Sequence, residues 1–121
     1  MAFVSASRHI LRLNGLIREE LSELLRRETE DPELQGLISI TEVDTESDLK
    51  LVKVYVSMLG DDEQMARVMH RLGKAARFFR RELARRLNLR HTPELEFHLD
   101  PSIARGARVM ELLGAINLDG A

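Results

Sequence analysis

A chain of 121 residues with 44% apolar and 31% charged side chains and no cysteine fits one globular domain, and it excludes disulfide and thiolate chemistry. Its formal charge of −2 hides a segregation: Arg67–His91 carries nine Lys/Arg against Glu82 alone, a balance of +8, while the other nine Lys/Arg face nineteen Asp/Glu, a balance of −10. No apolar run approaches the roughly 18 residues of a membrane span, and MAFVSASRH lacks the pattern of a signal peptide, so the expected compartment is the cytoplasm.

Ser7 is placed to cap a first helix whose apolar stripe is Ile10, Leu13, Ile17, Leu21 and Leu24. Gly15 weakens it slightly, and Asp31-Pro32 with Gly36 ends it in a loop. Two strands follow. LISITEV (Leu37–Val43) is rich in β-branched residues. In the second, Val52, Val54, Val56 and Met58 share one face while Leu51, Lys53, Tyr55 and Ser57 share the other. The polar Asp44–Asp48 spacer suits a hairpin, and Gly60-Asp61-Asp62 opens a helix with acids at its positive end.

From Glu63 to Leu87 the pattern is helical, with Leu72, Ala76, Phe79, Leu83 and Leu87 on one side. Arg71, Lys74, Arg81 and Arg85 lie within roughly 40° of Arg67 on the other, with Arg77 at the edge. On a straight rod Phe78 faces the cations and Arg80 faces the core. Two helices meeting at a bend near Gly73–Arg77 therefore compete with a single rod, and the bend would turn Phe78 into the core beside Phe79. After Asn88 and the loop Arg90-His91-Thr92-Pro93, ELEFHL alternates as a third strand. Asp100-Pro101 then starts a final helix with Ile103, Ala107, Met110 and Leu113 on one face. The expected order is α-β-β-α-α-β-α, an α+β fold with helices on one face of a three-stranded sheet. A flexible N-terminus (1–6), one domain (7–114) and a fraying tail (115–121) complete the division.

Catalytic signatures are missing from this sequence. It has no nucleophile elbow, the surroundings of Gly73-Lys74 do not form a phosphate loop, and the four histidines lack metal-binding spacing. No enzyme activity, cofactor, metal or small-molecule substrate is expected. The nearly unpaired cations carry the functional reading. A solvated helix mixes signs to gain i,i+4 pairs, and lining up like charges is unfavourable without an anionic partner. Arginine in particular forks onto phosphate and stacks on bases. The candidate nucleic-acid-binding residues are Arg67, Arg71, Lys74, Arg77, Arg80, Arg81, Arg85, Arg86, Arg90 and His91. The alternative is a protein-interaction module whose basic helical face docks an acidic partner.

Taken in order, IREELSELLRRETEDPEL (Ile17–Leu34), ISITEVDTESDLKLVKVYVSMLGD (Ile38–Asp61), RHTPELEF (Arg90–Phe97) and DPSIARGARVMELL (Asp100–Leu113) resemble the ribosome-binding factor A family. That resemblance implies a type II KH-like RNA-binding fold, and the chain is expected to be a monomer. The resemblance also implies binding to the small ribosomal subunit and its rRNA in late maturation, near the rRNA 5′ end and the decoding region, with a role in growth in the cold. The family's Ala-x-Gly kink corresponds here to Ala75-Ala76-Arg77, where an arginine replaces the flexible residue.

Overall fold

The computed structural model describes residues 8–28 and 38–100. The expected Ser7 cap, the loop at Asp31-Pro32 and Gly36, the final helix with Ile103, Ala107, Met110 and Leu113, and both tails lie outside those residues. Helix α1 spans Arg8–Glu23 and closes in a wider π turn, Leu24–Glu28. Its stripe is inward as the spacing requires: Ile10, Ile17, Leu21 and Leu24 are buried and Leu13 packs against the core. The closing turn buries Leu25 beside Leu24.

Strands β1 (Ile38–Thr45) and β2 (Leu51–Met58) form an antiparallel hairpin. The apolar residues of β1 change parity, from Ile38 and Ile40 to Val43, so strict alternation would expose one set. A bulge between Ile40 and Glu42 absorbs the mismatch, and both Ile40 and Val43 are buried. The Thr41 hydroxyl donates to the Tyr55 carbonyl at 3.3 Å across the bulge. In β2 the inward Val52, Val54 and Val56 are fully buried, which makes this central strand the floor of the core.

Helix α2 spans Asp62–Leu87. Its start is a reciprocal capping box. The Gln64 amide donates to the Asp61 carboxylate at 2.8 Å, and the Asp61 amide donates to Gln64 Oε1 at 2.9 Å. Gly60 is required before it: φ is +147°, and a Cβ would meet Gln64 Oε1 at 2.8 Å. Asp62 and Glu63 sit in the first turn and Arg85 and Arg86 in the last, each complementing the helix dipole. Asn88 ends the helix in the left-handed conformation, φ 53° and ψ 45°.

The α-α pair of the expected order is one helix here. Helical structure runs unbroken through Gly73 and Arg77. Phe78 nevertheless packs against the core, 5.5 Å from the Phe79 ring, so its position needs no helix break. A Cβ added at Gly73 would have nothing within 4 Å, and the residue lies on an exposed face where it interrupts no packing.

Strand β3 (Glu94–Leu99) returns parallel to β2, giving the order β1-β2-β3 in a mixed sheet. Leu95 and Phe97 point into the core, where Phe97 meets Phe79 edge-on at 5.9 Å. The described architecture is thus α+β, with two helices on one face of a three-stranded sheet and no described element on the opposite face.

Candidate nucleic-acid interface

Helix α2 positions the cations because its other side is fully committed to packing. Val68, Leu72, Phe79 and Leu83 are buried at intervals of four and seven residues, which fixes the helix's rotation about its axis. Arg67, Lys74, Arg77, Arg81 and Arg85 are then exposed, and Arg71 is half-buried. No described carboxylate forms an ion pair with Lys74, Arg77 or Arg81.

The remaining cations of the helix have internal partners. Arg85 pairs with Glu82 at 2.9 Å while its side chain stays 66% exposed. Arg86 crosses to α1 and meets Glu20 at 3.1 Å with only 19% of its side chain exposed. Arg80 donates through Nε to the Pro93 carbonyl at 2.9 Å and through Nη2 to the Thr92 carbonyl at 3.3 Å. The hydrogen bond from Arg85 holds the Glu82 carboxyl below its usual range against some desolvation, and the charges of Arg85, Arg86 and Arg81 add to the effect. Arg80 and Arg86 therefore hold helix, loop and α1 together, whereas the sequence grouped them with the binding residues. Their counterparts are distant in sequence, and only Glu82 was a local signal.

Arg90 and His91 are exposed in the loop that Arg80 anchors. They border an apolar pocket of about 430 Å³ formed with Leu13, Leu16, Leu49 and Leu87. A second, polar groove of about 480 Å³ runs between the middle of α2 and the start of β3. Lys74, Arg77 and Arg80 line it, with Glu94 on its far wall. The structure thus gathers Lys74, Arg77 and Arg81 on one open face beside a groove, with Arg67, Arg71 and Arg85 flanking them along the helix. Such a face has the charge to hold phosphates but no geometry that would read base identity.

The family model described as Ribosome-binding factor A matches residues 9–113. The chain belongs to the ribosome-binding factor A family. Among curated relatives, ribosome-binding factor A of Acetivibrio thermocellus is 47% identical over 104 residues, covering 86% of this chain and 85% of the relative. That of Synechococcus sp. strain WH7803 is 47% identical over 112 residues, covering 92% and 80%. The crystal structure of ribosome-binding factor A from Thermus thermophilus aligns with a TM-score of 0.65 at 29% identity, over 74% of this chain and 93% of that one. A homology model of the Thermus thermophilus factor, fitted into the cryo-electron-microscopy map of its 30S complex, aligns at 0.57 and 28% identity, over 70% and 88%.

Proposed function

We propose that this chain is a non-enzymatic assembly factor. It binds the small ribosomal subunit through rRNA during late maturation and acts where the rRNA 5′ end is processed. The observation that carries the reading is the row Lys74, Arg77 and Arg81, exposed and without a carboxylate partner among the described residues. The relative fitted into a 30S complex supports the choice of subunit. The β2–α2–β3 crossover, with a polar groove between α2 and β3, supports a KH-like reading in which one unbroken helix stands for the usual pair. Arg77 then adds a phosphate contact where a glycine would add flexibility. Residues Arg67, Arg71, Arg85, Arg90 and His91 extend the contact, and Arg80 and Arg86 shape it from within. The protein works as a monomer in the cytoplasm and uses no cofactor.

The test is the triple charge reversal Arg77→Glu, Arg81→Glu and Arg85→Glu, assayed by co-sedimentation with immature small subunits. Loss of binding with an unchanged circular dichroism spectrum is the expected result. Full binding by the triple variant refutes the basic-face account.

A further inference from the structure

The face of the sheet turned away from the helices has the opposite character to α2. Register places Glu42, Tyr55 and His98 in one row across the three strands, and Asp44, Lys53 and Glu96 in the next. Leu51 and Glu94 follow, with Glu46 beside Leu51 through a backbone hydrogen bond. Five carboxylates thus surround one lysine. At the centre the Tyr55 and His98 rings stack at 5.5 Å, and the His98 ring meets Glu96 at 2.9 Å. Lys53 lies between Asp44 and Glu96 in register, yet it forms no ion pair with either. Glu42, Asp44 and Glu94 likewise have no ion-pair partner among the described residues.

We infer that this sheet face, unpartnered among the described residues and centred on Tyr55 and His98, docks an Arg/Lys-rich extended segment of a protein. Its chemistry selects that occupant over others. Carboxylates repel an RNA backbone, so the half-buried ring pair is not a platform for bases. No three His, Asp or Glu among the described residues converge to hold a metal ion, so the negative charge is distributed rather than focused. A guanidinium fits both features: it stacks on the tyrosine ring and forks onto the flanking carboxylates. Rows spaced by strand geometry present these acids at intervals that an extended cationic chain can follow. The inference stands apart from the rRNA reading, because it uses no residue of α2.

The chain holds one tyrosine and no tryptophan, so the intrinsic emission of the unmodified protein reports on this face alone. Titration of the full chain with a short Arg-Gly repeat peptide should change Tyr55 emission saturably. In parallel, anisotropy of the fluorescein-labelled peptide should show binding weakened by roughly tenfold or more in the variant Glu42→Gln, Asp44→Asn, Glu96→Gln. Tyr55→Leu should weaken it by about threefold or more. Neutralising acids elsewhere (Glu19→Gln, Asp62→Asn, Glu63→Gln) should change it less than about twofold. Thermal melts confirm folding of each variant, and the emission titration needs no variant at all.

Equal weakening by both neutralised sets, or flat Tyr55 emission, overturns the proposal. Emission per molecule that varies with protein concentration in the absence of peptide assigns the face to a second copy and also overturns it. An rRNA oligonucleotide should bind the sheet-face variants as it binds the parent chain. If it loses affinity for them, RNA occupies the face instead. Failure of the basic-face reversal to disturb subunit binding would leave this result unaffected.

Discussion

Arg80 and Arg81 are neighbours in sequence with the same charge, yet they belong to different regions of the molecule. Arg80 turns toward the sheet and fastens the loop before β3 through two carbonyls. Arg81 turns away, exposed and without an ion pair to any described residue. The same contrast separates Arg86, bridged to Glu20 of α1, from Lys74 and Arg77. A helix turns by about one hundred degrees from one residue to the next, and that rotation sorts identical side chains into struts and contacts. Charge count along a sequence therefore overstates a binding surface, and the difference lies in whether a folded partner is within reach.

The sharpest way to break this division is the outward reversal Arg77→Glu, Arg81→Glu, Arg85→Glu. Affinity for the small subunit should fall by about two orders of magnitude or more with a native circular dichroism spectrum, while the melting temperature drops slightly because Arg85 no longer pairs with Glu82. Neutralising Lys74, Arg77 and Arg81 to alanine is milder and more diagnostic. If each meets a phosphate, the slope of log K against log salt should flatten by roughly two to three units. On the inward side, Arg86→Met keeps the apolar stem and removes the charge facing Glu20 and Glu82. Chemical denaturation should show a loss of about 1–2 kcal/mol, with subunit affinity per folded molecule unchanged.

Arg80→Ala removes the donors to Pro93 and Thr92. About 1–2 kcal/mol should be lost, and amide exchange should quicken in β3 before it does in α1. The smallest effect concerns acid. Glu82 titrates below its usual value of 4.5, so its ionised form stabilises the fold above that pH. The contribution is lost as pH falls through the depressed folded-state value. Melts of Glu82→Gln and the parent should therefore differ at neutral pH and converge in acid.

Much of the fold was legible because it rests on local pattern. The stripe of α1, the alternation in β2 and β3 and the acidic cap before α2 all depend on residues close in sequence. The helix–helix junction was not legible. Gly73 and the Phe78/Arg80 phase mismatch argued for a break, but a glycine on an exposed face interrupts no contact. Phe78 reaches the core edge from an intact helix, and Arg80 is satisfied by backbone carbonyls thirteen and twelve residues away. The bulge at Thr41 was visible only as a parity change between Ile40 and Val43. The acidic face of the sheet was half visible: the sequence put Lys53 and Tyr55 on one side, while His98 and Glu96 joined them through parallel pairing. Within the candidate site, exposure of Lys74, Arg77 and Arg81 followed from the helical period. The diversion of Arg86 did not, because Glu20 lies sixty-six positions away.

Helix α2 is the crossover that carries the chain from β2 to its parallel neighbour β3. A hairpin such as β1–β2 can close as soon as its second strand exists, but a parallel pair waits for the entire connection. During synthesis the cations of α2 emerge before the strand that fixes the helix against the sheet and supplies the loop held by Arg80. A chain stopped at Leu87 carries nearly all of the positive charge with no β3 to complete the groove. The groove beside Lys74 and Arg77 is thus completed late, only with the arrival of Glu94–Leu99.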